Sequence, residues 1–282
     1  MAARCVVNAT GPWVDAVRRL EDPRAGSSCR LSKGVHVALP LPEDLTAALT
    51  IFQDRVRVTF ALPWEGMLVL GTTDRLYEGD PDGVEATEED LSQILAEAGT
   101  ALDSSVLGRE AVRAAFAGLR VLPGAGRDTA SARRETVYLR GPAGMLTVGG
   151  GKLTTYRRIS LDALAALRSD LDLHRLDRNP VPLPGATELP EATGRLARRF
   201  PDLEPGLRAH LVHLYGSLAE EVLEGADERP ELLRRLHPEA PDVVAQAVYA
   251  RRREWACRPE DVLRRRTTLA LRGLGVPEVK LP

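Results

Sequence analysis

A cluster of prolines between residues 180 and 190 constrains the fold of this chain more than any other feature. The cluster consists of Pro180, Pro182, Pro184 and Pro190. Because proline lacks a backbone N–H group and fixes φ, such a run interrupts both helices and paired strands. Strand-like patterns occur only before the cluster, and only helix-like patterns follow it. The sequence therefore predicts two domains, at residues 1–178 and 193–282, connected by a linker over residues 179–192.

Alternating apolar residues in the first domain predict β-hairpins. Within Arg55–Leu62 the apolar positions alternate with polar ones, which is the period of a half-buried antiparallel strand. These apolar positions are Val56, Val58, Phe60 and Leu62. The turn sequence PWEG leads from here into a second strand, MLVLG, and another hairpin is predicted in ETVYLRGPAGMLTVGG. Hairpins interleaved with helices indicate an α+β fold with an antiparallel or mixed sheet.

Three helices are predicted among these hairpins, and the second domain is predicted to be all-helical. Pro12 suits the first position of a short helix that runs to about Leu20. Thr87 is the expected cap of the helix in ATEEDLSQILAEAG, where acidic residues occupy the first turn. A long amphipathic helix is expected over residues 153–171. Beyond the linker, several amphipathic stretches occur without any strand pattern.

The bulk composition is that of a soluble globular protein. Hydrophobic residues make up 44% and charged residues 28%, and the net charge of −2 argues against nucleic acid as a partner. The three cysteines, Cys5, Cys29 and Cys257, form no CxxC or Cys/His cluster, so neither a disulfide framework nor a metal site is predicted. A cytoplasmic location is the expectation. The arginine-rich C-terminal third indicates solvated helix surface, or else an acidic partner or an anionic membrane.

The stretch VGGGKLTTYRR, Val148–Arg158, is the first candidate binding site. Here a predicted strand ends in three glycines and turns into a predicted helix. Such a junction exposes backbone N–H groups that attract oxyanions, and Lys152 adds a positive charge. The spacing matches neither the P-loop nor the GxGxxG fingerprint. A tight strand-to-helix turn and a ligand-binding turn both remain open.

Other candidates are polar or small residues in apolar surroundings. VVNATGPW runs a strand into Ala-Thr-Gly, which serves either a plain turn or the close approach of a flat ligand. Arg120 lies in AFAGLRVLPG, and a buried arginine needs an anionic partner, either a protein carboxylate or a ligand. His36 is either a core histidine or a site residue, and Arg134 is either solvated edge charge or a ligand contact. His210 and His213 share a helix face, but no further metal ligand is near them in sequence.

Taken together, these motifs resemble the FAD-dependent, aerobic-type glycerol-3-phosphate dehydrogenases. The motifs VVNATGPW, SKGVHVALP, LGTTD, FAGLRVLPG, SARRETVY, GGGKLTTYRR and PEDVLRRRT occur in the order and spacing of that family. The resemblance extends from about Val6 to Leu271. It implies part of a glutathione-reductase-like FAD domain with an antiparallel or mixed-sheet substrate domain, followed by a helical C-terminal domain.

The resemblance implies a reaction, a cofactor and roles for particular residues. The reaction is oxidation of sn-glycerol 3-phosphate to dihydroxyacetone phosphate, with hydride passing to FAD and electrons to a membrane quinone. His36 and Arg120 would face the reacting carbon as catalytic residues, while Arg120 and Arg134 would bind the substrate. FAD would be bound by Ala9, Thr10, Gly11, Gly150, Gly151, Lys152, Leu153 and Thr154. Peripheral contact with the inner face of the cell membrane and a homodimer are further expectations.

Two departures from the family pattern lead to alternative expectations. The family's GxGxxG loop and acidic ribose-binding residue have no counterpart in this sequence, so we expect a truncated chain. Val121 also stands where the family usually has proline. The alternatives are a glycerol-3-phosphate oxidase that uses oxygen, or a catalytically inert fragment that acts as a folded docking module.

Overall fold

The structure is a computed structural model that describes residues 3–55, 57–124 and 135–275. It divides into two compact units, each taken by itself below. The first unit comprises Met1–Trp64 and Leu68–Asn179, and the second comprises Glu65–Met67 and Pro180–Pro282. The first unit combines sheets and helices, and the second is built from helices. This confirms the predicted α+β fold with a helical C-terminal part.

The described strands and helices of the first unit follow in chain order. The strands are β1 (Val7–Asn8), β2 (Cys29–Pro40), β3 (Leu49–Phe52), β4 (Val58–Trp64), β5 (Met67–Gly71), β6 (Arg75–Tyr77), β7 (Ala114–Pro123), β8 (Thr136–Arg140) and β9 (Leu146–Gly150). The helices are α1 (Val14–Glu21), α2 (Glu88–Ala98) and α3 (Tyr156–Ala166).

The smaller sheet has the strand order β1-β9-β8. Strand β1 is parallel to β9, whereas β8 and β9 are antiparallel and form the predicted second hairpin. A 3₁₀ turn over Gly11–Trp13, with Pro12 near its start, leads from β1 into α1. Proline fits this position because the first residues of a helix need no intrahelical N–H bond. The two predicted binding motifs therefore follow adjacent parallel strands and leave the sheet at the same end.

The larger sheet has the order β3-β4-β5-β2-β6, and β7 also pairs with β2. One face packs on α2, where Val35, Val37 and Leu39 of β2 share a core with Leu91 and Ile94. The opposite face of β2 carries the even-numbered residues from 32 to 38. Because side chains alternate along a strand, this second face is the one that presents the candidate site residues.

Helix α2 begins as the sequence predicts. Thr87 accepts a hydrogen bond from the backbone N–H of Asp90, and Asp90 accepts one from that of Thr87, which forms a capping box. The buried Asp90 carboxylate also receives Lys33 Nζ at 2.6 Å. Lys33 thus attaches the core face of β2 to α2.

The β4–β5 hairpin is present, but the apolar alternation does not mark its buried face. Thr59 and Ala61 are fully buried, whereas Phe60 remains 39% exposed. The reason is a polar contact: the Thr59 hydroxyl donates to a carboxylate oxygen of Glu97 on α2. A hydrogen bond to the covering helix thereby replaces apolar packing. Val56 lies outside the described residues.

The second unit packs short helices around one apolar core. They are α4 (Leu189–Arg199), α5 (Pro205–Tyr215), α6 (Ala219–Val222), α7 (Val244–Arg253) and α8 (Pro259–Arg265). The core includes Leu196, Leu211, Leu223, Val244 and Val262. Helix α4 begins inside the segment 179–192 that the sequence assigns to a linker, because Pro190 lies in its first turn, where proline is tolerated. Among the described residues no helix is both long and apolar enough to cross a membrane.

A buried carboxylate organises this helical unit. Asp242 receives hydrogen bonds from the Thr268 backbone N–H at 3.1 Å and from the Thr268 hydroxyl at 2.6 Å. Its other carboxylate oxygen lies 3.2 Å from His210 Nε2. His210 thus has a structural partner, and no metal-binding group of His, Cys, Asp or Glu occurs in the described parts of the chain.

Candidate functional site

The triple-glycine turn is required by packing and by backbone conformation. Gly150 and Gly151 have φ values of +75° and +80°, a region that favours glycine. A Cβ at Gly150 would lie 2.4 Å from the carbonyl oxygen of Glu135, and one at Gly151 would lie 2.6 Å from Cδ1 of Ile159. The tight-turn interpretation is therefore correct for these glycines, whether or not a ligand also contacts them.

Beyond the glycines the chain leaves the sheet with exposed side chains. Lys152 precedes a 3₁₀ turn over Leu153–Thr155, and Lys152 and Thr154 are exposed. Leu153 is 87% exposed. Helix α3 follows and ends at Ala166, earlier than the predicted 171. Backbone N–H groups in the first turn of a helical segment lack intrahelical acceptors, so this junction can donate to a ligand.

The Ala9-Thr10-Gly11 turn is shaped by a buried asparagine. Asn8 donates to the carbonyl of Val14 at 2.9 Å and accepts from the Thr10 hydroxyl at 2.7 Å. Gly11 has φ +59°, and a Cβ built there would meet nothing within 4 Å. The backbone at Gly11 is therefore open on the side where a ligand can approach.

A single cavity brings most of the predicted site residues together. It has a volume of about 830 Å³, within the range of ligand-binding cavities. Its lining includes Gly11, Arg120, Gly150, Gly151, Lys152, Leu153 and Thr154. Ala9 and Thr10 are exposed residues next to Gly11 but do not line the cavity. His36 does not line it either and lies farther along β2.

Arg120 is half-buried on β7 and opposite Ser32 of β2 in the sheet. Its Nη2 donates to Thr72 Oγ1 at 2.8 Å, and its Nη1 donates to the carbonyl oxygen of Thr73 at 3.1 Å. The guanidinium lies over Gly34, where a Cβ would be 2.5 Å from Nη2. A charged, planar donor group is thereby held at the cavity wall in a defined orientation.

His36 stacks on Phe116, with ring centroids 5.3 Å apart and planes inclined by 13°. Burial lowers the pKa of His36 below its ordinary value of 6.5, and the positive charge of Arg120 lowers this pKa further. The ring also lies against Gly71, where a Cβ would be 2.4 Å from Cδ2. His36 is therefore neutral near pH 7 and can accept a proton.

Sequence analysis missed several residues that build this site. Asn8, Thr72 and Gly34 support the predicted residues, yet none was singled out as a site residue. A signal existed for each: an asparagine inside an apolar strand, a glycine within a strand, and the polar run after β5. Arg134, predicted to bind the substrate phosphate, lies outside the described residues.

The types of group that line the cavity are those that could bind an FAD isoalloxazine ring and its neighbouring groups. The cavity joins an open backbone turn at Gly11, a second bare turn at Gly150 and Gly151, and the positive charges of Arg120 and Lys152. Bare backbone allows close approach of a flat ring, and positive charge favours groups that gain negative charge on reduction. The donor set thus matches the cofactor that the resemblance implies.

Comparison with known proteins identifies the family. A model of the FAD dependent oxidoreductase family matches residues 1–157, more than half of the chain. The chain belongs to this family. Residues 179–274 match a second model, the C-terminal domain of alpha-glycerophosphate oxidase. These two matches confirm FAD as the predicted cofactor type and the helical C-terminal domain.

Individual relatives carry a more specific name. The glycerol-3-phosphate dehydrogenase of Synechocystis sp. is 32% identical over 292 residues, covering 96% of this chain and 52% of the relative. The mitochondrial glycerol-3-phosphate dehydrogenase of Homo sapiens is 34% identical over 296 residues, covering 99% of this chain and 40% of the relative. The family resemblance predicted from the motifs is confirmed. The chain spans about half the length of these curated relatives.

A solved structure supports the same assignment. The glycerol-3-phosphate dehydrogenase from Bacillus halodurans, described as complexed with FAD, superposes with a TM-score of 0.79 at 28% identity. The match covers 96% of this chain and 55% of the Bacillus chain. The fold described above is therefore shared with an FAD-bound relative.

Proposed function

We propose that this oxidoreductase chain serves the oxidation of sn-glycerol 3-phosphate to dihydroxyacetone phosphate. The observation that carries the proposal is that Arg120 lines the same cavity as Gly11 and the Gly150–Thr154 segment. An oriented guanidinium thus shares a cavity with the turns to which the family resemblance assigns FAD. The names of the relatives, which are glycerol-3-phosphate dehydrogenases, support this substrate.

Each site residue has a distinct task in this proposal. The Arg120 guanidinium hydrogen-bonds oxygen atoms of the substrate and favours the oxyanion character that develops at the C2 hydroxyl. His36 lies outside the cavity lining, on the sheet face that carries Arg120. In its neutral form, which its lowered pKa permits near pH 7, it would accept the proton of that hydroxyl at an imidazole nitrogen from substrate that extends to this face. Arg134 helps to hold the phosphate.

The cofactor-binding part of the site would be formed by the two bare turns. The segments Ala9–Gly11 and Gly150–Thr154 would hold FAD, which when bound accepts the hydride from C2. Lys152 and Leu153 line the same cavity, where Lys152 would supply positive charge beside the cofactor and Leu153 would offer an apolar contact. Loss of that hydride from C2, together with transfer of the hydroxyl proton to His36, would convert the alcohol to a ketone.

The electron acceptor, location and assembly are further parts of the proposal. We assign a membrane quinone as acceptor, with peripheral contact of a cytoplasmic protein at the inner face of the cell membrane. Oxygen is the alternative acceptor, favoured by the match of residues 179–274 to a domain named for alpha-glycerophosphate oxidase. A homodimer remains a prediction.

The test uses protein purified from the complete gene and loaded with FAD. Anaerobic addition of glycerol 3-phosphate should bleach the visible flavin band, and a soluble quinone should restore it faster than oxygen does. Arg120→Ala should slow bleaching by about 10²-fold or more while flavin content is unchanged. Arg113→Ala, an exposed arginine just before the same strand, is the matched control. Absence of a flavin band would support the inert docking module, and equal loss of flavin and turnover would make Arg120 structural.

A further inference from the structure

The segment Gly71–Asp74, with the sequence GTTD, connects β5 to β6 and contacts the candidate site from outside the cavity lining. Gly71 ends β5, and Arg75 begins β6. Thr73 is fully buried, which is uncommon for a polar residue between two strands unless it is hydrogen-bonded.

Thr72 and Thr73 both accept hydrogen bonds from the Arg120 guanidinium. Arg120 Nη2 donates to Thr72 Oγ1 at 2.8 Å, and Nη1 donates to the Thr73 carbonyl at 3.1 Å. The Thr72 hydroxyl itself lies 3.1 Å from that carbonyl and donates to it. Because the hydroxyl hydrogen points at the carbonyl, a lone pair of the same oxygen is left to face Arg120.

The segment that holds Arg120 is itself fixed to β2. Val35 donates its backbone N–H to Thr73 Oγ1 at 3.0 Å, and the buried Ser32 hydroxyl donates to Asp74. Strand β2 also carries His36. The segment that holds Arg120 and the ring of His36 are therefore both fixed in position by β2. Gly34, between these anchor points, leaves the space that the guanidinium occupies.

We propose that Thr72 is a positioning residue for Arg120, which it orients over Gly34 and toward His36. The proposal rests on the function proposed for Arg120. Two of the guanidinium's N–H groups are directed to the Gly71–Asp74 segment, and two such bonds define the plane of the group. A planar fork held in this way presents its charge to His36 and to the cavity in one orientation.

The first test needs no cofactor, because it follows the titration of His36 in the full chain. Variants T72V, T72S and R120Q are compared by NMR with histidine labelled at the ring nitrogens. R120Q removes the charge that lowers the pKa of His36, so the His36 pKa should rise. The value in R120Q is the reference for His36 without the charge of Arg120. T72V removes the oxygen but keeps the shape, and its His36 pKa should lie between those of wild type and R120Q. T72S keeps the oxygen and should match wild type.

The controls separate positioning from general damage. T50V makes the same substitution at an exposed strand threonine of the same sheet and should titrate like wild type. T72A repeats the oxygen deletion with a smaller side chain in case valine impairs folding. A His36 pKa unchanged from wild type in T72V and T72A, or in R120Q, overturns the proposal.

The second test measures turnover in the FAD-loaded protein purified from the complete gene. T72V should lower kcat/KM for glycerol 3-phosphate by about tenfold or more, and T72S should restore it, since a hydrogen bond to a charged group is lost and regained. Flavin content should be the same in all variants. Wild-type turnover in T72V contradicts the proposal for Thr72, whereas wild-type turnover in R120A contradicts the proposed function itself.

Discussion

The guanidinium of Arg120 lies against the backbone of Gly34, so that a Cβ at position 34 would be 2.5 Å from Nη2. The two residues belong to neighbouring antiparallel strands, β7 and β2. Glycine at this place is needed by a side chain and not by a turn, because Gly34 lies inside a strand without a positive φ. The absence of a Cβ at position 34 therefore leaves the space that the Arg120 guanidinium occupies in the candidate site.

Gly34→Ala should lower the activity while leaving the stability nearly unchanged. The group that the new methyl meets is the far end of a flexible side chain, so Arg120 moves and the strand stays in place. We expect kcat/KM to fall by about 10²-fold, the cost of losing one oriented donor, with a melting temperature close to that of wild type.

Gly118→Ala is the matched control for this substitution. Gly118 pairs with Gly34 in register, and a Cβ at Gly118 would meet nothing within 4 Å. Its turnover should equal that of wild type. Full activity in the Gly34 variant would show that the position of Arg120 does not matter.

The pH dependence of turnover should follow His36. Burial and, after it, the charge of Arg120 lower the pKa of this histidine below 6.5, so its neutral form persists to lower pH. The acidic limb of kcat/KM should therefore fall below pH 6.5 and move to higher pH in Arg120→Gln. The measurement is a pH profile of kcat/KM at constant ionic strength. A limb above 6.5 in the wild-type protein would exclude His36 as the base.

Gly150→Ala should destabilise the chain in the absence of any cofactor. The substitution combines a φ of +75° with a Cβ 2.4 Å from a backbone carbonyl, which cannot move aside as a flexible side chain can. Gly144→Ala is the control, because Gly144 has φ +97° but open space around its Cβ. We expect a cost of about 1–2 kcal/mol for Gly144→Ala and a larger one for Gly150→Ala in urea unfolding. Equal costs would show that packing at Gly150 contributes nothing.

Much of the fold was accessible to sequence analysis because its signals are local. The Thr87 capping box, the hairpin turns and the change of pattern at the prolines each depend on a few adjacent residues. The buried face of β4 was not accessible, since it is decided by Glu97, which is distant in sequence. The same distinction between local and distant signals applies to the candidate site. Its glycine turns can be recognised in the sequence as motifs. The hydrogen bond from Arg120 to Thr72 joins residues 48 positions apart, so it could be predicted only if the register of the strands were known.

Asp242→Asn should weaken the helical unit in a pH-dependent way. Burial raises the pKa of Asp242, but hydrogen bonds from His210 and Thr268 outweigh this effect, and the pKa is lowered below 3.8. A carboxyl group whose pKa is lowered on folding stabilises the protein above its unfolded pKa, and this stabilisation disappears as the pH falls through the folded value. The variant should therefore lose about 1.5–3 kcal/mol of unfolding free energy at pH 7, the value of hydrogen bonds to a charged group.

Amide hydrogen exchange in α5 and α7 measures this loss within the helical unit. The difference between wild type and Asp242→Asn should shrink as the pH is lowered below 3.8, because a protonated carboxyl group resembles the amide that replaces it. Asp202→Asn, at an exposed position of the same unit, is the control and should leave exchange unchanged. A difference that stays constant down to low pH would mean that shape at position 242, and not its charge, stabilises the helices.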